Sequence, residues 1–357
     1  MKKALLFVFA SLMFSIEISA QASGGQITRK RTNTTTTTNT TRKNNSSGKT
    51  TTIDKRYVSG NRNDTPQIKV INESEKTCEL YFDRDKQKTC IPRNKKGKYV
   101  IPSTVRGYTV IRIGDCAFNN CEISEIEIPN TVTSIGNDAF GWCFNLSNII
   151  IPKSVKSIGD RCFDRCESLL SLSMSNSVVE IGRDAFRFCY KLSSIKLSTN
   201  IKTIKASTFE SCSSLMSIEI PEGVTSIELC AFSGCKSLSE IQIPSGVKII
   251  ASNTFSHCVK LTTVNIPEGV TKIEENAFRY AKISTITLPN SINFIAPLAF
   301  YHCDELTKVI SHITNPSHLG QNSFNKAKDI TLIVPRGTKQ RYIQYGWNYY
   351  FSTILEQ

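Results

Sequence analysis

Phenylalanine recurs along the chain every 22 to 24 residues, with a small residue before it and usually a cysteine three positions after it. The ten phenylalanines are Phe118, Phe140, Phe163, Phe186, Phe209, Phe232, Phe255, Phe278, Phe300 and Phe324. The position three residues after each phenylalanine holds, in order, Cys121, Cys143, Cys166, Cys189, Cys212, Cys235, Cys258, Ala281, Cys303 and Ala327. Self-similarity at a fixed period of this length indicates a repeat architecture.

Each repeat unit carries two further apolar patterns. Ile218 and Ile220 alternate with polar residues, which predicts a short strand whose isoleucines face the core. Val224 and Ile227 supply a second inward pair, and the A-F-x-x-C segment predicts a helical or 3-10 turn. One unit cannot bury its apolar side alone, but stacked units share one continuous core.

The pattern therefore predicts a β-dominated solenoid with short 3-10 or helical turns, about ten units of 22 to 24 residues over 113–335, capped at both ends. We expect 66–112 to form the N-terminal cap and 336–357 the C-terminal cap. The aromatic residues of the last segment are expected to cover the final coil rather than stack on a ligand. These residues are Tyr342, Trp347, Tyr349 and Phe351.

The repeat unit resembles the bacterial BspA-like class of leucine-rich repeats, whose pattern reads approximately L-x-x-I-x-I-P-x-x-V-x-x-I-G-x-x-A-F-x-x-C. The resemblance runs from about residue 100 to 335, and the aromatic closing segment is common in bacterial members of the family. It implies a leucine-rich repeat solenoid in a bacterial extracellular or cell-surface protein that takes part in adhesion to host or neighbouring-cell proteins. Because a fold does not fix an activity, this function is an analogy.

The N-terminal residues differ from the repeats. Two lysines precede an apolar run and an A-x-A cleavage site ends at Ala22, so 1–22 is expected to be a secretory signal peptide. Residues 23–65 are dominated by Thr, Asn, Ser, Lys and Arg, and predict a disordered basic linker. We interpret this linker as a solvated stalk, with weak electrostatic contact to anionic polymers as the alternative.

The net charge of +14 belongs to the N-terminal third of the chain. Residues 23–65 carry nine Lys or Arg against two acids, and 66–112 carry eleven against five. From 113 to 357 there are 22 basic and 22 acidic residues. This distribution argues against a uniformly basic domain that binds specific nucleic acids. No apolar run reaches the roughly 18 to 20 residues of a transmembrane helix.

The thirteen cysteines in a chain expected to be secreted suggest disulfides. The repeat cysteines are expected to be buried free thiols, because side chains aimed in parallel into a core seldom meet disulfide geometry. Cys78 and Cys90 can face each other across a hairpin of the N-terminal cap, which makes them the candidate disulfide. Cys116 and Cys230 lie two residues before their phenylalanines and are expected to be partly exposed.

Catalytic and metal chemistry have little support in the sequence. His257 and His302 occupy the same repeat position two units apart, about 10 Å by the strand spacing, which is too far to share one ion. The chain lacks C-x-x-C pairs and the motifs G-x-S-x-G, H-E-x-x-H, G-x-G-x-x-G and the P-loop. No catalytic residue, cofactor or metal is therefore predicted, and we expect a protein that is not an enzyme.

Surface positions close to each phenylalanine stack into columns along one edge of the predicted solenoid. Over three successive units these columns hold Trp142, Phe144, Arg165, Arg187, Phe188 and Tyr190, which we call the Trp142 cluster. Aromatic residues beside arginine are typical of interaction hot spots, so this cluster is the candidate partner-binding site. The alternative is that the rings only shield the edge of the stack.

Taken alone, the residues support a non-enzymatic binding solenoid on a basic stalk. With the family resemblance, we expect a secreted or cell-surface protein that binds host matrix or cell-surface proteins. One alternative is a periplasmic or extracellular structural scaffold held by its basic stalk. Another is a carbohydrate-binding module, in which the Trp142 cluster contacts a glycan.

Overall fold

The computed structural model describes residues 65–325 and 329–357. The predicted signal peptide, nearly all of the predicted linker and Ala327 lie outside these residues, so what the sequence indicates for them stays a prediction. Among the described residues, no helix combines the length and apolar character needed to cross a membrane.

The described chain is built mainly from short strands. In chain order they are β1 (Ile68–Asn72), β2 (Thr77–Leu80), β3 (Gly97–Val100), β4 (Thr104–Val105), β5 (Tyr108–Ile113), β6 (Ile123–Glu127), β7 (Ser134–Ile135), β8 (Asn148–Ile150), β9 (Ser157–Ile158), β10 (Ser171–Ser173), β11 (Glu180–Ile181), β12 (Ser194–Lys196), β13 (Thr203–Ile204), β14 (Ser226–Ile227), β15 (Glu240–Gln242), β16 (Ile249–Ile250), β17 (Thr263–Asn265), β18 (Lys272–Ile273), β19 (Thr285–Leu288), β20 (Phe294–Ile295), β21 (Lys308–Ser311), β22 (Thr331–Val334) and β23 (Thr353–Glu356). One helix, α1 (Lys339–Gln344), and one 3-10 helix, Trp347–Tyr349, lie near the C-terminus.

Most repeat turns contribute two short strands, each paired in parallel with its equivalent in a neighbouring turn. Leu172 of β10 pairs with Ile195 of β12 in one series, and Ile158 of β9 pairs with Ile181 of β11 in the other. In β10 the central leucine is buried and its neighbours are exposed, as the period-two pattern predicted. The leucine-rich repeat solenoid predicted from the sequence is confirmed.

The repeated phenylalanines form a continuous stack of rings through the core. Neighbouring ring centroids lie 4.9 to 5.7 Å apart, with interplanar angles of at most 15°. All ten side chains are inaccessible to solvent. The stack joins each turn to the next, because removal of an inner ring would expose the two rings that pack against it.

The repeat cysteines line the core beside this stack. The Sγ atoms of Cys143, Cys166, Cys189, Cys212, Cys235, Cys258 and Cys303 each lie 3.0 to 3.2 Å from the carbonyl oxygen of the phenylalanine in the preceding turn. Their burial, which the sequence predicted, is confirmed. The thiol fits a small apolar position and also donates a weak hydrogen bond.

The A-F-x-x-C segment forms hydrogen-bonded turns rather than a helix. In the unit of Phe186, the amide of Arg187 donates to the carbonyl of Asp184 and the amide of Cys189 to that of Phe186. Asp184, two residues before Phe186, and Phe188, two residues after it, have left-handed backbone conformations, with φ of 55° and 57°. These two residues stop the 3-10-like turns from extending, and they turn the chain back toward the next strand.

The N-terminal cap corrects the expectation for Cys78 and Cys90. The antiparallel partner of β2 is β1, so Cys78 faces Val70 rather than Cys90, and its Sγ lies 3.9 Å from the carbonyl oxygen of Tyr108. The amide of Cys90 donates to the carbonyl of Ala117. Cys90 thus occupies the phenylalanine position of a degenerate first turn. The prediction that Cys78 and Cys90 face each other across a hairpin is wrong, and both thiols are free and buried.

The C-terminal segment closes the core and extends one sheet. Strands β21, β22 and β23 pair in parallel, and α1 and the 3-10 helix lie between the last two. Tyr342 and Trp347 are fully buried, and the Trp347 indole donates to the carbonyl of Ser317. The Phe351 ring packs 5.0 Å from that of Phe324, at the end of the stack. Tyr349 differs from the others because its side chain is exposed.

Candidate functional site

The Trp142 cluster lies where the backbone is left-handed. Trp142, Arg165 and Phe188 each follow a core phenylalanine by two residues and have φ of 63°, 59° and 57°. The amide of Trp142 donates to the carbonyl of Asp164, and that of Arg165 to the carbonyl of Arg187. This register places the three side chains directly above one another on one edge of the solenoid.

The Arg165 guanidinium is held between two aromatic rings. Its Cζ atom lies 4.6 Å from the Trp142 ring centroid and 4.5 Å from the Phe188 ring centroid. Both distances fall within the range of a cation–π interaction. The ion pairs and hydrogen bonds formed in the described part of the chain do not include the Arg165 side chain. Its donors are therefore available to a group outside the chain.

Two more rings flank this sandwich and widen the apolar surface. Phe144 packs edge-on against Trp142, with ring centroids 5.9 Å apart. Tyr190 lies at the same distance from Phe188. The exposed fractions of Trp142, Phe144 and Tyr190 are 43%, 39% and 38%. The rings form a patch that is packed on its inner side and accessible on its outer side.

Arg187 has a different role from Arg165. Its Nε donates to Asp164 Oδ1 at 3.0 Å and its Nη1 lies 3.3 Å from Asp184 Oδ1. The Asp164 side chain is only 3% exposed. The hydrogen bond to Asp164 raises the pKa of Arg187, whose guanidinium also lies 5.2 Å from the Phe188 ring. Arg187 therefore neutralises a buried acid and supports the cluster from below.

A second aromatic group on the same column was not recognised as a cluster from the sequence. The Tyr280 ring lies between His257 and His302, with centroid distances of 4.6 and 4.8 Å. Arg279 faces the Tyr280 and Tyr301 rings at 4.9 and 5.8 Å. We call these five residues the Tyr280 cluster. The sequence signal for this cluster is the order His257, Tyr280 and His302 at the same position of three successive repeat units.

The titration of His257 reflects this crowding. Partial burial, followed by the positive charges of Arg279 and Lys236, lowers the pKa of the imidazole below its usual value. Among the described residues, no group of three His, Cys, Asp or Glu side chains is placed to hold a metal ion. Because the neutral form of His257 is favoured, the positive charge of the Tyr280 cluster is that of Arg279.

The comparisons with known proteins concern the repeats. A family model described as BspA type Leucine rich repeat region, with six copies, matches residues 111–236 and 202–331. A leucine rich cell surface protein from Faecalibacterium prausnitzii A2-165 is 22% identical, with a TM-score of 0.54, over 85% of this chain and 95% of its own.

Two other solved structures are similar over much of the chain. The pneumococcal vaccine antigen PcpA is 17% identical, with a TM-score of 0.45, over 85% of this chain and 98% of its own. A leucine rich repeat protein from T. pallidum is 24% identical, with a TM-score of 0.41, over 60% of this chain and 84% of its own. No curated protein matches the chain.

Proposed function

Because its repeats match that family model from 111 to 331, the chain belongs to the BspA-type leucine-rich repeat family, and we propose that it binds a protein partner through the Trp142 cluster. The proposal includes a secreted or cell-surface location and a role in adhesion to host or neighbouring cells, without enzymatic activity. In its support, the structurally similar F. prausnitzii protein is described as a cell surface protein.

The observation that carries the proposal is the position of Arg165 between Trp142 and Phe188. A guanidinium fixed by two rings loses little further freedom when it binds a carboxylate through two parallel hydrogen bonds. The rings beside it can bury an apolar side chain of the partner. Trp, Tyr and Arg are also the residues that dominate binding energy at protein interfaces.

These features describe the kind of partner segment that fits. An Asp or Glu of the partner pairs with Arg165, and a neighbouring apolar side chain packs on Trp142 and Phe144. Because the apolar contact excludes water from the charged pair, we expect the interaction to withstand salt better than a purely electrostatic contact does. Pre-organisation of the cluster lowers the entropy lost on binding.

Binding to purified matrix proteins and whole cells tests this proposal. Trp142→Ala removes one side of the sandwich and should weaken binding by about 2 kcal/mol or more. Tyr349→Ala is the matched control, because Tyr349 is an exposed aromatic residue of the C-terminal segment, outside the cluster. Equal affinities of the Trp142→Ala variant and the wild type would exclude this site.

The scaffold alternative has one observation in its favour, the concentration of positive charge in 23–112. In that case the basic residues contact an anionic polymer, and the solenoid serves only as a spacer or as an assembly unit. Cell fractionation separates the two functions, because an adhesin must lie outside the outer membrane or wall. Recovery of the protein only in the periplasm would favour the scaffold.

A further inference from the structure

The Tyr280 cluster differs from the Trp142 cluster in what it leaves accessible. Tyr280 is covered on both ring faces by His257 and His302, at interplanar angles of 23° and 9°. A ring in that position cannot receive an apolar side chain or a nucleic-acid base on its face. Its hydroxyl, which lies 3.4 Å from Arg279 Nη2, and the imidazole nitrogens are the groups left for a ligand.

Three exposed lysines lie beside this column on consecutive turns: Lys236 and Lys282 come four residues after their core phenylalanines, and Lys260 comes five residues after Phe255, next to Val259. The amide of Gly234 donates to the carbonyl of Ser256, and the amide of His257 to that of Arg279. This register sets the lysines on neighbouring turns, whose spacing is about 4.7 to 4.9 Å. The ion pairs formed in the described part of the chain include none of the three.

Positive charge dominates around the cluster. Arg279 and Lys236 are close enough to His257 to disfavour its protonation. Asp304 lies beside the stack, where its Oδ1 accepts a hydrogen bond from Asn325 Nδ2 at 2.9 Å and lies 4.0 Å from His302 Nδ1. Glu305 follows it on the same exposed turn. Asp304 holds the repeat position that Lys282 holds one turn earlier, so the basic strip ends at Lys282, and Lys236 and Lys260 lie on the turns away from these acids.

We propose that the Tyr280 cluster and the three lysines form a second binding site, for an acidic polysaccharide that carries carboxylate or sulfate groups. Such a polymer presents anionic groups at regular intervals, as the lysines present cations on consecutive turns. Its hydroxyl groups suit the edge donors and acceptors of the tyrosine and histidines. Protein hot spots favour exposed Trp and Tyr anchors, whereas the exposed apolar residue among these lysines is Val259. Single-stranded nucleic acids stack on open aromatic faces, whereas both faces of Tyr280 are covered.

The site is independent of the partner site proposed above. Phe188 and His257 are separated by two turns with small residues at the same column position, Ser211 and Gly234. Each site can therefore fail without the other. Trp142→Ala should leave polysaccharide binding unchanged, and loss of the lysines should leave protein binding unchanged.

The test measures binding of the full chain to heparin, dextran sulfate, polygalacturonate and uncharged dextran. The site variant is Lys236→Gln/Lys260→Gln/Lys282→Gln. Its matched control, Lys153→Gln/Lys202→Gln/Lys272→Gln, removes the same charge from exposed lysines elsewhere. Because all six side chains are exposed, both variants should unfold at the wild-type temperature, which circular dichroism checks.

The wild type should bind at least one acidic polysaccharide and not dextran. The site variant should lose about tenfold or more in affinity, and the control about twofold or less. Binding to dextran sulfate alone would identify sulfate as the recognised group, and binding to polygalacturonate would identify carboxylate. Equal losses in the two variants, no binding by the wild type, or equally strong competition by polyglutamate or oligodeoxythymidine would overturn the proposal.

Discussion

The Sγ atom of Cys212 lies 3.2 Å from the carbonyl oxygen of Phe186 in the preceding turn. The same contact recurs down the column of repeat cysteines. Cysteine therefore serves this position in two ways, as a small apolar group and as a donor to a core carbonyl. Burial also raises the pKa of these thiols, to about 12 for Cys258 and Cys303.

The raised thiol pKa values predict a loss of stability in alkali. In the unfolded chain the thiols ionise near pH 8.5, whereas in the folded chain they keep their protons. The unfolded state then binds fewer protons, so stability is full below about pH 8.5 and falls as the pH rises toward the folded pKa values. Urea unfolding at pH 7 and pH 10 measures the change. A Cys189→Ala/Cys212→Ala/Cys235→Ala variant should show a shallower fall, and a slope equal to the wild type's would contradict this explanation.

Thiol labelling of the native protein should divide the cysteines into two groups. Cys116 and Cys230 are partly exposed and should react with iodoacetamide, while the other eleven are buried and should react only after unfolding. Mass spectrometry of the digested protein assigns each site. A disulfide-linked peptide containing Cys78 and Cys90 would contradict the cap described here.

Truncation of one ring of the core stack should be costly. Phe209 lies 5.6 Å from Phe186 and 5.4 Å from Phe232, and Phe209→Ala should reduce the free energy of unfolding by roughly 3 to 5 kcal/mol. Phe294→Ala is the control, because that ring is 43% exposed and its loss should cost about 0.5 kcal/mol or less. Similar costs in the two variants would refute the assignment of the phenylalanine column to the core.

The two arginine–aspartate pairs of neighbouring turns should differ in strength. Arg187→Ala leaves the buried Asp164 without its partner and should reduce stability by about 3 kcal/mol. Arg161 pairs with Asp138 in similar geometry but is 45% exposed, so Arg161→Ala should cost about 1 kcal/mol or less. Thermal unfolding compares the two. An effect of Arg187→Ala no greater than that of Arg161→Ala would place Arg187 at the surface rather than beneath the cluster.

Much of the fold follows from spacing alone. A phenylalanine every 22 to 24 residues can stack only if each period is one turn, and the alternation around Leu172 fixes which side of the strand is buried. The cap was harder to predict, because its first turn has Cys90 at the position where the later turns have the phenylalanine that marks the repeat. The left-handed turns were also hidden, since Trp142 and Phe188 adopt positive φ where glycine would have signalled it.

The candidate site was predicted in composition but not in roles. The column placed Trp142, Arg165 and Phe188 together, and the structure adds that the guanidinium lies between the rings. Sequence spacing could not separate Arg165 from Arg187, because the burial of Asp164 depends on how the turns pack. In the Tyr280 cluster, Tyr280 separates the two histidines and stacks on both, a contact that the spacing of metal-ligating residues does not indicate.

The most direct test of the central claim is the salt dependence of binding to a matrix protein that the full chain recognises. If the Trp142 cluster makes the contact, wild-type affinity should persist at high salt, and Trp142→Ala should weaken binding at both low and high salt. If binding instead disappears at high salt and Trp142→Ala behaves as the wild type, the contact belongs to the basic N-terminal residues, and the claim is wrong.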